Sequence, residues 1–298
     1  MDISKLTNAE LMKLAKIKPK FAEEVSKKTC GASSPESRVQ DPNSAPTQDK
    51  KNIIYLNDIK KEYDSKPPKT NVDTSELTIE KTSAAIANEL IIKNHYSHTV
   101  AKGVVLNLAL KNGDKIVGVA QLGYGIMPKK TCQWVKGTKS NEYFELNRLW
   151  VDDCEKRNAE SYFISQSIKF VKTNYPIIKW IISFADGMMG KVGTIYQATN
   201  WVYTGFRWDG GIWLTKEGKR MHSVSLWHKH GTINREVLEG IYGKPLKKIF
   251  GGQFRYFYFL NRKSRKLLTM PALPYPKQED LHSYIKVLDS YKIKKETK

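Results

Sequence analysis

Cysteine is scarce in this sequence of 298 residues. The three cysteines, Cys30, Cys132 and Cys154, are widely spaced and form no C-x-x-C pair. A disulfide framework needs more cysteines in pairs, and a cysteine-based zinc site needs clustered thiolates. Both are therefore excluded, and the composition fits a reducing compartment.

Long hydrophobic runs are also missing. No stretch approaches the length that crosses a bilayer, and the N-terminus has no apolar segment of the kind found in signal peptides. We therefore expect a cytoplasmic protein with no membrane partner.

Negative charge is in short supply, because 30 acidic residues stand against 50 basic ones and the formal net charge is +20. The excess is greatest near the C-terminus, where residues 206–298 carry 20 basic and 8 acidic side chains. Residues 247–266 interleave this charge with aromatic side chains. Such a strip favours a nucleic-acid partner. The alternative is a core strand of aromatics with solvated ends.

Composition divides the chain into four parts. Residues 1–25 have helical spacing of apolar positions, and residues 26–75 are rich in polar and charged residues and predict a flexible linker. Residues 76–277 have the patterning of a folded catalytic domain, and residues 278–298 predict a C-terminal helix and tail.

The stretch 144–161 organises the main domain. It begins as an alternating strand, continues as a polar loop and enters an amphipathic helix near Glu160. The first turn of a helix presents unpaired N–H groups that favour an anion, and Arg157 adds positive charge. The stretch therefore predicts a phosphate cradle, with an ordinary strand-to-helix connection as the alternative.

A second, continuously apolar strand at residues 177–185 ends at Asp186 and leads through a glycine-rich loop into a short helix carrying Tyr196. This order of strand, cradle, helix, strand and helix resembles the acyl-CoA-binding core of the GNAT acyltransferases. The resemblance implies an α/β fold, specifically α+β with a central mixed sheet flanked by helices. Residues 157–161 stand where that family usually has a glycine-rich signature.

Periodicity predicts the remaining elements of the domain. In chain order they are a helix at 78–94, a hairpin at 103–111 and 115–123, strands at 205–215 and 221–227, a helix at 235–242, an aromatic strand at 247–266 and a last helix at 278–292.

Several polar residues stand where chemistry is expected. His95, Tyr96 and His98 follow the end of a helix, and Asp186 follows a buried strand. Nitrogen and oxygen donors of this kind suit a first-row metal, but they also suit helix capping. Arg148 interrupts a half-buried strand, so it either pairs with a nearby carboxylate or faces an anionic ligand.

Five motifs together resemble the phage Mom family of GNAT-like DNA-modification enzymes. They are HYSH at 95–98, LNRLWV at 146–151, SFAD at 183–186, GTIYQATNW at 193–201 and PYPK at 274–277. The resemblance covers roughly residues 77–277. It implies a transferase that converts adenine in double-stranded DNA to N6-carbamoylmethyladenine, acting in the cytoplasm of the infected bacterial host and protecting phage DNA from restriction.

The resemblance also implies roles for individual residues, with acetyl-CoA as cofactor and iron as a second one. The implied iron ligands are His95, Tyr96 and Asp186, which with Ser161 form the implied catalytic set. The implied acetyl-CoA-binding residues are Arg148, Tyr196, Arg157 and Asn158.

Chemistry on adenine N6 requires that the base leave the duplex, and Tyr124, Trp134, Trp208 and Trp213 are candidates for stacking on it. Two alternatives remain open at this point. One is an ordinary N-acyltransferase acting on a small amine or a protein, and the other is a DNA-binding protein without activity. The oligomeric state is also open, with a homodimer as one option.

Overall fold

A computed structural model describes residues 75–288, except residues 154, 156, 209–210, 217–218 and 285. Its centre is a seven-stranded sheet with the order β1-β2-β3-β4-β5-β10-β6. The strands of this sheet are β1 Leu77–Lys81, β2 Val104–Asn112, β3 Lys115–Gly123, β4 Tyr143–Val151, β5 Trp180–Asp186, β6 Val202–Trp208 and β10 Gly252–Phe259.

Helices pack against this sheet. The two long ones are α1, Ala84–Asn94, and α3, Ala159–Asn174. Helix α1 buries Ala87 and Ile91 against Val119 of β3, while α3 buries Phe163 and other side chains in the main core. Two shorter helices, α2 at Pro128–Thr131 and α4 at Thr194–Gln197, follow β3 and β5. The mixed sheet flanked by helices confirms the expected α/β fold.

The hairpin of β2 and β3 follows the sequence prediction closely. Its turn contains Gly113 at φ +56°, a conformation that glycine adopts without steric cost. All neighbouring strand pairs in the sheet are antiparallel except one, β4 with β5.

The parallel pair separates early. Its register runs only from Tyr143 to Glu145 on β4, opposite Trp180 to Ile182 on β5. Beyond Glu145 the two strands splay apart, as expected for a GNAT-like sheet, and the following residues of both strands border the resulting opening. Their side chains are the core of the candidate site.

A smaller four-stranded sheet lies between β6 and β10 in the chain and has the order β11-β9-β7-β8. Its elements are β7 Ile212–Leu214, β8 Arg220–His222, helix α5 Ser223–His230, helix α6 Arg235–Tyr242, β9 Lys247–Phe250 and, from the C-terminal end, β11 Lys286–Leu288. Trp213, Leu238 and Leu246 belong to its own small core. The last short helix, α7, is Arg262–Arg265.

Five predicted elements were wrong in type or extent. The predicted strand at 205–215 is two strands, β6 and β7, in different sheets, and the predicted strand at 247–266 is β9, β10 and helix α7. The predicted helix at 78–94 begins only at Ala84, because residues 77–81 alternate in burial and pair with β2 as an edge strand. The predicted strand at 221–227 is mostly helix α5. The predicted helix at 278–292 is instead a 3₁₀ helix at Gln278–Tyr284 followed by β11, which pairs with β9.

The aromatic strip was also misjudged as a DNA-facing surface. Phe254, Tyr256 and Phe257 of β10 are fully buried, so these rings are core, which is the alternative interpretation of the strip. The sequence-predicted segments 1–25 and 26–75 lie outside the described residues except for Ser75. Within the described part of the chain, no helix is long and apolar enough to span a membrane.

Candidate active site at the splayed strands

The turn after α1 places two aromatic side chains at the opening. His95 caps α1 through its backbone N–H, which donates to Ile91 O, and its ring is buried. The Ser97 N–H donates to His95 Nδ1 at 3.1 Å, and Ser97 Oγ lies 2.8 Å from the same atom. Tyr96 packs on the His95 ring at 4.2 Å between centroids and is 43% exposed.

Arg148 of β4 ties this turn to the sheet. Its Nε donates to Thr99 O at 3.3 Å, its Nη2 to Thr99 Oγ1 at 3.4 Å and its Nη1 to Asn147 O at 2.8 Å. All three acceptors are neutral oxygens, so the guanidinium charge is held in place without being neutralised by them. The carboxyl of Glu145 lies close enough to act on the pKa of Arg148, so internal pairing and an anionic ligand both stay open for this guanidinium.

Lys191 links the end of β5 to the turn after α1. Its Nζ lies 5.5 Å from the Tyr96 ring centroid, and its N–H donates to Asp186 O at 3.3 Å. The Asp186 carboxylate accepts from the Met188 N–H at 2.9 Å, so it caps the 3₁₀ helix Gly187–Met189. His95, Tyr96, Arg148 and Lys191 therefore form one cluster, and Asp186 joins it through its backbone contact with Lys191.

This surrounding keeps the His95 ring neutral. Burial lowers the pKa of His95 to about 3, and the positive charges of Arg148 and Lys191 and the neighbouring His98 act in the same direction.

The structure gives no support to the iron site that the resemblance implied, and the set of His95, Tyr96 and Asp186 stays a prediction. The Ser97 N–H points at His95 Nδ1 at 3.1 Å, which favours the tautomer with the proton on Nε2, whereas a metal bound at Nε2 requires the proton on Nδ1. Arg148 and Lys191 add positive charge where a cation would bind. Among the residues that the structure describes, no group of three or more His, Cys, Asp or Glu side chains is placed to hold a metal ion.

Tyr196 lies where β4 and β5 separate. Ser183 Oγ donates to Leu146 O at 3.0 Å, one residue beyond the last parallel pair, and Tyr196 Oη lies 2.8 Å from Ser183 Oγ. Burial raises the pKa of Tyr196 to about 12, and the hydrogen bond with Ser183 offsets part of the rise. Tyr196 packs on Tyr256 at 5.2 Å. The Tyr196 hydroxyl is neutral and nearly buried. It contacts β5 through Ser183 at the point where β4 and β5 separate.

The predicted cradle is at the start of α3. Asn158 is the N-cap residue with φ +72°, and its side chain makes no capping hydrogen bond. Ser161 Oγ donates to Asn158 O at 3.1 Å, and the Arg157 side chain is exposed. The Asn158 side chain therefore does not cap the first-turn amides. An anion site at a helix N-terminus needs such uncapped N–H groups. Ser161, Arg157 and Asn158 form a group of their own at α3.

Glu145 is a site residue that sequence reasoning did not select. Burial raises its pKa, while a 3.1 Å hydrogen bond from Asn147 Nδ2 and the charge of Arg148 lower it. It lies at the last parallel pair and packs against Gly125 so closely that a Cβ at Gly125 would overlap its Oε2. The available signal was a carboxylate in the alternating, half-buried run 144–151.

The four candidate stacking residues differ in exposure. Trp213 is 3% exposed and belongs to the core of the small sheet, and Trp134 packs on Phe257 and Arg255. The buried Trp213 ring is not available to a base, and Trp134 is half-buried. Trp208 is 39% exposed, and Tyr124 is half-buried against Phe144.

Solved structures of acetyltransferases align with part of this chain at low similarity. The ribosomal-protein-S18-alanine N-acetyltransferase of Escherichia coli aligns with 62% of this chain and 94% of its own, at 9% identity and a TM-score of 0.36. The spermidine/spermine N-acetyltransferase of Vibrio cholerae aligns with 65% of this chain and 98% of its own, at 9% identity and a TM-score of 0.36.

Sequence comparison gives a more specific result. The methylcarbamoylase Mom of Escherichia phage Mu is 33% identical over 211 residues, which are 68% of this chain and 85% of that protein. The model of the Mom protein family matches residues 76–277. That range contains both parts of the site described above, and the chain belongs to the Mom protein family.

Proposed function

We propose that this protein is a DNA-modifying transferase that converts adenine in double-stranded DNA to N6-carbamoylmethyladenine. The observation that carries the proposal is the 33% identity with the phage Mu methylcarbamoylase over 85% of that protein. The splayed strands, the positively charged opening and the net charge of +20 are what such an enzyme requires. We place the catalytic domain at residues 76–277.

Acyl-CoA is the proposed cofactor, and the residues at the cradle fit it. The uncapped first turn of α3, with Asn158, Ser161 and the exposed Arg157, would hold the diphosphate. Arg148 and Tyr196 border the splay, where the acyl end would lie. When bound, acetyl-CoA would supply a thioester-activated two-carbon unit. Acyl transfer alone would give N6-acetyladenine, so the carbamoylmethyl product also requires an amide nitrogen from an amine donor and a two-electron oxidant that acts on the methyl carbon.

The chain's own residues orient the substrates. The neutral His95 carries its proton on Nε2 and therefore presents a hydrogen-bond donor, and Arg148 presents a positive charge beside it. A donor and a cation together stabilise negative charge that develops on an oxygen in the opening. Tyr196 contributes by holding β4 and β5 at their separation.

The biological role that follows is protection from restriction. Restriction enzymes read the adenine N6 donor in the major groove, and a carbamoylmethyl group there blocks that contact. The enzyme would act in the cytoplasm of the infected bacterial host. A homodimer is a compatible assembly.

Nucleoside mass spectrometry tests the proposal. DNA from cells that express the full chain is expected to contain N6-carbamoylmethyladenine, and an Arg148→Ala variant is expected to lack it. The same DNA should resist restriction enzymes that contact adenine N6. Unmodified nucleosides together with acetyl-CoA turnover in the absence of DNA would instead indicate an ordinary N-acyltransferase. Salt-dependent DNA binding without a modified nucleoside would indicate a non-enzymatic DNA-binding protein.

A further inference from the structure

The loop that follows β3 carries apolar side chains into solvent beside the candidate site. Ile126 is 84% exposed, the largest exposed fraction among the large hydrophobic residues of the described chain, and Met127 is 44% exposed. An apolar tip of this kind is unfavourable in water and marks a surface that enters a partner. We call residues 124–127 the apolar tip.

The apolar tip is held rigidly. The Tyr124 N–H donates to Gly103 O at 3.1 Å, which joins the tip to the start of β2. Gly125 has φ +68°, and the Glu145 side chain packs directly on it. Tyr143 Oη donates to Tyr124 O at 2.5 Å. The backbone that leads into Ile126 is thus fixed to the sheet, so Ile126 projects from a firm support.

The tip adjoins the site on the protein surface. Glu145, which packs on Gly125, receives a hydrogen bond from Asn147 and lies within the electrostatic reach of Arg148. Arg148 in turn acts on the pKa of His95. The apolar tip is therefore joined to the site through Glu145 and Arg148.

Positive charge flanks the apolar tip. Lys129 and Lys130 follow it directly, and Lys102 precedes Gly103 on the adjoining segment, and all three side chains are exposed. Within residues 124–130 there is no acidic residue. An apolar point between lysines matches a nucleic acid duplex, which offers phosphates on the outside and stacked bases within. It does not match a second copy of this basic chain, because like charges would face each other.

We propose that Ile126, supported by Met127, is a wedge that enters the base stack of duplex DNA when the target adenine leaves it. The lysines contact phosphates on either side, and the isoleucine side chain fills the space that the extruded base vacates. This inference rests on the proposed function, since it concerns how that reaction reaches adenine N6. Filling the gap offsets part of the free energy that unstacking the base requires.

The test compares two DNA substrates and two variants of the full chain. The first duplex carries an adenine that the wild-type enzyme modifies, paired with thymine. The second carries an abasic site opposite the same adenine, so that less stacking and pairing must be broken. The variants are Ile126→Ala and the control Ile177→Ala, a 51% exposed isoleucine that borders another surface, between α3 and β5.

A wedge predicts a specific pattern. Ile126→Ala should lower the rate of modification of the paired adenine by about tenfold or more, and the abasic duplex should restore most of the loss. Fluorescence of 2-aminopurine at the target position should rise with wild-type protein and with Ile177→Ala, and rise less with Ile126→Ala. Unfolding midpoints of the variants should match that of wild type, because Ile126 is exposed.

Three outcomes would overturn the wedge. They are wild-type rates for Ile126→Ala on the paired duplex, equal losses on both duplexes, and a changed sedimentation coefficient of Ile126→Ala without DNA, which would assign the tip to a contact between copies. A different result, in which wild-type protein modifies neither duplex nor cellular DNA, would contradict the proposed function itself.

Discussion

Among single residues, Glu145 is one whose charge the fold controls. Burial raises its pKa above the ordinary value, so the folded protein binds its proton more tightly than the unfolded chain does. Stability from this group is therefore present at low pH and is lost as pH rises from the unfolded pKa through the folded one.

A Glu145→Gln variant should expose this dependence. We expect its free energy of unfolding to exceed that of wild type by more at about pH 8 than at about pH 5, because glutamine does not ionise. Urea denaturation at the two pH values measures the difference, and Glu89→Gln, at an exposed position of α1, is the matched control. A constant difference across this range would show that folding does not raise the pKa of Glu145 as its burial implies.

Arg148 offers a second residue-scale test. Its three hydrogen bonds to Thr99 and Asn147 need the fork of a guanidinium, which a lysine ammonium cannot reproduce. Arg148→Lys should therefore lose about tenfold or more of the DNA modification measured by nucleoside mass spectrometry, in spite of its retained charge. The exposed Arg157→Lys should lose much less. Equal activity of Arg148→Lys and wild type would show that charge alone suffices.

The positions of individual site residues were predictable from sequence where the adjacent helix or strand determined them. His95, Tyr96 and Asp186 each stand at the end of a helix or strand, and such ends border openings. The tautomer of His95 was not predictable, because it depends on the local hydrogen bond from Ser97. Nor was the role of Lys191, since its proximity to Tyr96 is a tertiary contact across many residues.

At the scale of elements, the separation of β4 from β5 depends on two buried hydroxyls. Ser183 bonds Leu146 O, and Tyr196 reaches Ser183 from helix α4. Neither hydroxyl has access to bulk water, because Ser183 is 1% and Tyr196 5% exposed. Removing one partner of a buried hydrogen bond leaves the other unsatisfied, which costs more than removing both.

A double-mutant cycle tests this coupling. Tyr196→Phe should lower the free energy of unfolding by about 1 kcal/mol and Ser183→Ala by about 1–3 kcal/mol. The combined variant should lose less than the sum, since the second change removes a group already without its partner. Urea denaturation measures all four proteins. An additive result would mean that the two hydroxyls do not interact in solution.

Elements with strong local patterns were the easiest to predict. The β2–β3 hairpin has alternation and a glycine turn, and α6 matches its predicted bounds of 235–242. Residues 77–81 and 221–227 were misassigned because short edge segments take their structure from tertiary pairing and packing. The strand β11 gains its partner, β9, only in the folded chain, so local propensity could not indicate it.

At the scale of the whole molecule, the proposed function makes charge the main factor in how the protein would meet DNA. The net charge of +20 would supply attraction at a distance, while contacts near the apolar tip would set the local register. The sequence predicted this excess but not its placement, because the basic and aromatic stretch 247–266 folds with its rings in the core.

The salt dependence of DNA binding distinguishes the contribution of the lysines beside the tip from the contribution of the net charge of the whole protein. Removing one lysine that neutralises a phosphate should reduce the slope of log Kobs against log salt by about 1. We therefore expect Lys129→Ala combined with Lys130→Ala to reduce the slope by about 2. Lys169→Ala, at an exposed position on α3, removes the same kind of charge from another surface and should leave the slope unchanged.

Fluorescence anisotropy with a labelled duplex at several salt concentrations measures the slopes. If Lys169→Ala reduced the slope as much per charge as the change beside the tip, DNA would be bound by diffuse charge over the whole surface, and the tip would have no special part in it.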